Sequence, residues 1–438
     1  MKKMLLVVLV LAVFGSLAIG QDWGWTGTIP PDSAGTGWPA SYGQGMAVDG
    51  AGKIWYTSYY SADSVDVGDG VMESCRAIYV FNPDGTQASF SPIKTITVDG
   101  VEDTLWNSNR GLRTDPDGNI VAGSWCVYYR INHTTGAGMQ KLLPFPSTDP
   151  EAGPWDGESI TAAAFDADGN LYTNMVVAGG NPIKAFDTDF ELLDELVSGD
   201  YCTGYSRTIE VSADANDIYF CSFTSGNGVI KFHSNDGLDG DYLTQIDTVL
   251  RGMAVEATGW QPVTNYLWAG NSGGAGWTNC GFYAYDPVSG NIMDSLFVPG
   301  AADLGAKPRG IDFTSDGNIA YVTFFNSWDT DAIYRLEKGA TGVWEHTDTF
   351  AHGYKLSANY PNPFNPSTTM DYVLTDAGVV DFRVYNLKGA EVSVLTQGYQ
   401  AAGEYSVTFN GSNLASGVYI AKLNVNGIIL TKSMTLVK

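Results

Sequence analysis

Positive charge is scarce in this chain of 438 residues: 23 Lys and Arg stand against 48 Asp and Glu, a net charge of −25. A field of that sign repels nucleic acid and anionic membrane surfaces, so neither is an expected partner. Histidine is rarer still, at four residues. With so few, a His-based triad is not expected. The five cysteines, Cys75, Cys126, Cys202, Cys221 and Cys280, form no C-x-x-C pair. That argues against a zinc site and a dithiol redox motif. An odd count leaves at least one thiol free, with a bridge such as Cys202–Cys221 left open. Helical periodicity is missing outside the first 20 residues. Beyond that opening run, no apolar stretch reaches the roughly 18 residues that span a bilayer, so no transmembrane anchor is expected.

What is present is glycine, 52 residues, and aromatic side chains, 13% of the chain. Short strands joined by tight turns need both. Residues 1–20 read as an export signal. Lys2 and Lys3 precede an apolar run from Leu5 to Phe14, and small Ala18 and Gly20 precede Gln21. The residue directly after that junction is Gln21 and not cysteine, so a lipid anchor is not expected.

One pattern then recurs six times: a strand, an Asp/Gly turn, a second strand, a loop and a third strand. The copies open at GMAVDGAGKIWYTSYY (45–60), GLRTDPDGNIVAGSW (111–125), AAAFDADGNLYTNMVV (162–177), TIEVSADANDIYFCSF (208–223), GMAVEATGW (252–260) and GIDFTSDGNIAYVTFF (310–325). Fourth strands are expected at ASFSPIKTITV, MQKLLPF, ELLDELV, LTQIDTVL, NIMDSLFV and VWEHTDTF. Four strands per unit at this spacing predict propeller blades. The segment around residues 22–29 is expected to add an outer strand to the last unit and close the ring, removing exposed sheet edges. The units resemble NHL-type six-bladed propeller repeats, through Pro308-Arg309-Gly310-Ile311-Asp312-Phe313 and Asn318-Ile319 above all. Such a resemblance speaks for fold and not for function, because this fold hosts enzymes, lectins and scaffolds.

Composition shifts after Phe350. Three segments follow in order: Asn359-Tyr360-Pro361-Asn362-Pro363-Phe364-Asn365-Pro366, Val384-Tyr385-Asn386-Leu387-Lys388-Gly389 and Leu414-Ala415-Ser416-Gly417-Val418-Tyr419. The prolines forbid helix and impose a turn-rich entry. Alternation in Val380-Phe382-Val384 gives a strand with one buried face. This stretch resembles the type A C-terminal sorting domain of type IX secretion cargo, a small immunoglobulin-like sandwich. The resemblance implies the secretion machinery as partner, and release or attachment at the outer cell surface. The expected architecture is therefore all-β: a signal peptide (1–20), a six-bladed β-propeller (21–350) and a C-terminal sandwich (351–438).

In a propeller the first strand of each unit lines the central channel. Aligning the residue before each first strand gives Gln44, Arg110, Thr161, Arg207, Arg251 and Arg309. Only nine arginines exist, and four share this register. Clustered guanidinium groups repel one another unless anions or carboxylates neutralise them. Pairing with nearby acids, such as Asp103, Glu158, Asp200 or Asp303, is the plainer explanation and a bound anion the sharper one. The same face is expected to carry Trp38, Trp106, Trp125, Trp155, Trp277 and Trp328, whose flat rings stack on sugars or cap loops. The expected site is thus Gln44, Arg110, Arg207, Arg251 and Arg309 with Trp106, Trp125, Trp155, Trp277 and Trp328, binding a glycan or anionic ligand and carrying no catalytic residue. One alternative is a metal-dependent hydrolase, lactonase or lyase in the channel, drawing on Glu158, Glu210, Asp312, Asn107 and Asn109. A structural surface-layer protein is another. No cofactor is expected. Calcium is considered at Asp115–Asn119 and Asp166–Asn170, but the further ligands of a calcium loop do not follow, and Asp and Gly there suit a hairpin turn.

Overall fold

A computed structural model describes residues 23–29, 42–60, 63–147, 157–176, 181–224, 227–273, 280–298, 301, 305–325, 333–339, 348–351, 354–357, 359–374, 377–386, 390–425 and 428–438. The expected signal at residues 1–20 lies outside them. The chain forms two compact units, Met1–Thr341 and Gly342–Lys438. No α-helix occurs among the described residues, and none of their segments is a helix long and apolar enough to cross a membrane.

The first unit contains six principal sheets in chain order. Their first strands are Gly43–Val48, Asn109–Thr114, Ala164–Phe165, Ser206–Val211, Val255–Trp260 and Lys307–Phe313. Each pairs antiparallel with the strand that follows it. These first strands stand side by side in a circle. A Cβ on Gly45 would sit 2.6 Å from Gly111 Cα, and one on Gly111 would sit 2.6 Å from Ala162 Cβ. The Ala162 amide donates to the Arg207 carbonyl at 2.8 Å. Thr208 and Thr258 share a hydroxyl bond of 2.7 Å. A Cβ on Gly259 would strike Ile311 O at 2.5 Å, and one on Gly310 would meet Met46 Cγ at 2.8 Å. The sixth sheet thereby returns to the first, and a closed circle of radial antiparallel sheets is a β-propeller.

Apolar layers fill the wedges between neighbouring sheets. Trp55, Ile78 and Val80 of the first sheet pack with Leu112, Ile120 and Tyr129 of the second. Ala257, Trp268 and Phe282 of the fifth pack with Ile311, Phe313 and Val322 of the sixth. The Asp/Gly turns hold themselves. Asp166 Oδ1 accepts from the Asp168 and Asn170 amides at 3.0 and 2.9 Å, and its Oδ2 accepts from Tyr172 Oη at 3.0 Å. Asp115 Oδ1 accepts from the Asn119 amide at 2.8 Å. These carboxylates close their own hairpins. All five cysteines are buried, and no two of them form a disulfide. The Cys202–Cys221 bridge does not form, since Cys202 packs with Tyr172 and Ile209 while Cys221 packs with Val229 and Met253.

Ring closure follows the sequence expectation at its N-terminal end. Trp23–Ile29 pairs antiparallel with Ile333–Lys338, from Trp23↔Lys338 to Ile29↔Ile333. VWEHTDTF, the other strand expected there, does not take that place: its described part, Asp348–Ala351, pairs with Tyr354–Ser357 in the second unit. The first sheet also departs from expectation. Of ASFSPIKTITV, only Ile93 bridges Ile78. Pro92 has no amide to extend the ladder. Thr95–Val98 pairs instead with Val101–Thr104. Between them, Asp99 and Gly100 both take positive φ, 52° and 79°, the backbone of a type I′ hairpin turn.

The second unit is a sandwich of two four-stranded sheets. Alternating residues Met370-Tyr372-Leu374, Val380-Phe382-Val384 and Ala421-Leu423-Val425 share its core. The proline-rich entry docks on the last strand. Asn362 Oδ1 accepts from the Thr435 amide at 2.9 Å, Phe364 N donates to Thr435 O at 2.9 Å, and Val437 N donates to Phe364 O at 3.0 Å. Phe364 itself is buried in the core.

Trp23 is the closing strand's anchor, 4% exposed, edge-on to Trp268 at 5.8 Å, with Nε1 donating to Asp294 Oδ2 at 2.9 Å. Trp23→Ala should lower the unfolding free energy of the propeller by about 3–5 kcal/mol, read by denaturant titration. A loss under about 1 kcal/mol, the range of ordinary surface substitutions, would show that closure does not depend on this side chain.

Candidate functional site

The channel mouth is built from a repeated backbone irregularity. In five sheets the register between first and second strands slips by one residue at the same level. Asn109 faces Ser124 while Gly111 faces Gly123, for example, and Pro308 faces Phe324 while Gly310 faces Thr323. The extra residue is Gln44, Arg110, Arg207, Glu256 or Arg309. In the third sheet Thr161 stands at this level, its amide donating to Asn174 O at 2.9 Å. A bulge re-aims the side chain of its extra residue. Here it turns Gln44, Arg110, Arg207, Glu256 and Arg309 onto one narrow cavity of about 10 Å³, the room of about one water.

Each arginine lies over an aromatic ring that follows its neighbouring strand. Arg110 is 4.4 Å from the Trp125 centroid, Arg207 is 4.5 Å from Phe223, and Arg309 is 4.6 Å from Phe325. Such stacking favours a cation that has lost part of its hydration. One backbone bond repeats beside four of the bulges and at the same level of the third sheet: Tyr59 N to Tyr42 O (2.9 Å), Trp125 N to Ser108 O (3.0 Å), Val176 N to Ser159 O (2.7 Å), Phe223 N to Tyr205 O (3.0 Å) and Ser272 N to Ala254 O (2.9 Å).

Charge around the cavity is uneven. Glu256 bridges two arginines, with Oε2 3.1 Å from Arg207 Nε and 2.7 Å from Arg309 Nη1. Arg110, on the sheet opposite Glu256, has no ion pair with a carboxylate among the described residues. Four guanidinium groups line the cavity; with Arg113 paired to Glu210 and one carboxylate, Glu256, against the other three, two net positive charges remain in a chain whose overall charge is −25. Burial pushes the Arg110 pKa down to about 10, opposed by Tyr59 and assisted by Arg207. It pushes Arg309 down to about 9, against the pull of Glu256. Both stay cationic at neutral pH. Arg110 Nε, Arg309 Nε and Gln44 Oε1 are buried without a hydrogen-bond partner among the described residues.

A second polar layer lies deeper. Arg113 reaches from the second sheet to the fourth and fifth: its Nη2 donates to Glu210 Oε1 at 2.7 Å, Thr208 Oγ1 at 3.0 Å and Thr258 O at 2.9 Å. Thr258 Oγ1 also donates to Glu210 Oε1, at 2.6 Å. Asp312 is half-buried and accepts from the Val48 and Phe313 amides, both at 2.8 Å. The carboxylates weighed for a channel enzyme are thus otherwise engaged. Glu210 holds Arg113, Asp312 holds backbone, and Glu158 is exposed. Asn109 Nδ2 donates to Ser58 O at 3.3 Å and Arg76 O at 3.2 Å. No group of three His, Cys, Asp or Glu suited to a metal occurs among the described residues.

Of the residues aligned from sequence, Gln44, Arg110, Arg207 and Arg309 converge. Arg251 does not: it sits exposed in a turn, with Nε donating to Thr248 O at 3.1 Å. The apparent match of GMAV at 252–255 to GMAV at 45–48 misplaced the register by five residues, because the fifth first strand starts only at Val255. Glu256 takes the place assigned to Arg251. Counting back from the second strand, where Ala257 faces Gly270, would have found it. Trp125 stacks on Arg110 and donates Nε1 to Gly157 O at 3.1 Å. Trp106 is half-buried, its carbonyl accepting from Arg76, and does not line the cavity. Trp38, Trp155, Trp277 and Trp328 lie outside the described residues. Sequence reasoning missed Arg113 and the tyrosines Tyr60 and Tyr205, which are 49% and 48% exposed beside the stacked rings. Tyr60 lies 6.5 Å from Phe325, and Tyr205 lies 5.7 Å from Phe223.

Residues 358–437 match the model of the secretion system C-terminal sorting domain. The second unit is a type IX secretion sorting domain. A sorting domain directs its chain to the cell surface or to release outside the cell, so this propeller works there. The sequence matches no curated protein. Among solved structures the chain is similar to PorZ, an essential surface component of the type IX secretion system of Porphyromonas gingivalis, at 12% identity over 91% of this chain and 60% of that one, with a TM-score of 0.39. It is also similar to a protein assigned as a gluconolactonase (12% identity, 72% and 97% covered, TM-score 0.43) and to a chain of the nidogen/laminin complex (14%, 60% and 82%, TM-score 0.39). The chain spans about 60% of the length of PorZ. Likenesses this distant bear on neither ligand nor chemistry.

Two outcomes test the site's electrostatics. Glu256→Gln leaves Arg309 enclosed beside a neutral amide and should cost about 3 kcal/mol or more of stability. Adding Arg309→Met should restore part of that loss, and additive losses in the double variant would mean the pair is not coupled. Burial raises the Asp312 pKa from 3.8 to about 6. The folded chain therefore binds this proton more tightly than the unfolded chain, and the group adds stability as pH falls from about 6 toward 4. Relative to the native chain, Asp312→Asn should cost about 1 kcal/mol more at pH 5 than at pH 7. A cost that does not change with pH would mean Asp312 is not held in a desolvated site.

Proposed function

We propose that this is an exported surface protein whose six-bladed propeller recognises an anionic glycan at the arginine ring. The observation that carries the reading is Arg110: a buried cation, stacked on Trp125, without an acid partner among the described residues, in a cavity of net positive charge. An isolated enclosed charge is costly, and an anion that neutralises it recovers that cost. Gln44 Oε1 supports a glycan over a bare ion, because an unpaired acceptor beside a cation suits a ligand carrying hydroxyls. The exposed rings of Tyr60 and Tyr205 offer flat faces to a sugar. On this reading residues 1–20 deliver the chain to the periplasm, and the sorting domain engages the type IX machinery for the outer membrane.

Arg110→Gln should weaken binding to acidic polysaccharide by roughly 10- to 100-fold, the worth of a charge-assisted hydrogen bond. Arg251→Ala, exposed and away from the cavity, should bind as the native chain does. Titration calorimetry on folded, secreted protein reads both, with unchanged thermal melts as the check on folding. Equal binding by the Arg110 variant would remove the ring from consideration, and a larger effect from Arg251 would relocate the site.

A further inference from the structure

The channel beneath the arginine ring is plugged. Arg113 belongs to the second sheet and bonds Thr258 of the fifth, and in a circle of six those two sheets face each other across the bore. It also bonds Glu210 of the fourth sheet. Around this plug the inner strands touch at Gly45, Gly111, Ala162 and Gly310, where even an added methyl group would collide with the next strand or its side chains. A ligand entering at the arginines meets a floor formed by a salt-bridged side chain, so a polymer cannot thread the ring.

The cavity is also polarised across its width. Glu256, on the fifth sheet, ion-pairs with Arg207 and Arg309 from the fourth and sixth sheets beside it. Arg110, on the opposite side, has no carboxylate partner among the described residues and is the guanidinium whose donors stay open to a ligand carboxylate. Gln44, on the sheet next to Arg110, presents its unpaired carbonyl oxygen there. Arg110 is 6% exposed and Gln44 4%, so both are built into the wall rather than waving in solvent.

Resting on the reading of the ring as a glycan site, we propose that it is an end-recognition pocket: it takes one terminal acidic sugar, the sugar's carboxylate on Arg110 and an adjacent hydroxyl donating to Gln44. Glu256 stays as a fixed internal anion on Arg207 and Arg309, which leaves Arg110 for the ligand's carboxylate. The rim tyrosines Tyr60 and Tyr205 are placed for the next sugar along the chain.

The test is calorimetric titration of the secreted protein with galacturonic acid, trigalacturonate and long polygalacturonate, alongside glucuronate and N-acetylneuraminate monomers. The expected result is one protein bound per polygalacturonate chain at every length, with no binding of the methyl ester of galacturonic acid. Gln44→Ala should weaken binding by roughly 3- to 10-fold, the worth of one neutral hydrogen bond. Arg110→Lys keeps the charge but loses the forked donor geometry, and should weaken it more than Gln44→Ala does. Stoichiometry that rises with chain length would overturn end recognition while leaving the anionic-glycan reading in place. Failure of all the acids to bind would sink both. Tighter capture of a peptide carrying a free C-terminal carboxylate would overturn the sugar assignment.

Discussion

Adjacent inner strands of the propeller approach so closely at Gly45, Gly111, Ala162 and Gly310 that little beyond a hydrogen or a methyl group fits between them. Everything at the channel mouth depends on that contact. Strands packed this tightly leave little room for large side chains at the contact level, and the extra residue of each bulge, one position earlier, emerges just above it. The side chains of five sheets consequently meet in one small cavity although they are spread over more than 260 residues of sequence, from Gln44 to Arg309.

Convergence creates an electrostatic problem that the fold solves only in part. Aromatic rings behind Arg110, Arg207 and Arg309 replace some of the lost hydration. Glu256 pairs with two of the three cations and offsets one unit of their charge, and Arg113 with Glu210 forms a separate paired layer below. What is left, a positive excess facing solvent within an acidic protein, is a property of arrangement and not of composition. Such an excess draws anionic ligands toward the mouth, and the draw weakens as salt screens it.

Much of this molecule was legible in its residues, for identifiable reasons. Period-two alternation and Asp/Gly turns are local signals, so the six strand–turn–strand units stood out, as did the closing strand at Trp23–Ile29. The sorting domain was legible because its proline-rich entry does specific work: Asn362 through its side-chain oxygen and Phe364 through its backbone hydrogen-bond to the end of the chain at Thr435 and Val437. The errors arose where one local signal imitated another. GMAV at 252–255 copies the letters of a first strand, but a turn through Leu250 and Gly252, both at positive φ, delays the strand to Val255. In the first sheet an expected fourth strand lost to Pro92 and to the Asp99-Gly100 turn, which fold that stretch into its own hairpin.

By itself the sequence determined the all-β character, the repeat and the export address, because each rests on the chemistry of neighbouring residues. Tertiary structure alone decided that Glu256 and not Arg251 belongs to the ring, that Arg113 closes the bore, and that Arg110 has no acid partner among the described residues. Those outcomes depend on distances between side chains on different sheets, and a one-residue bulge sets them without leaving a mark in residue type.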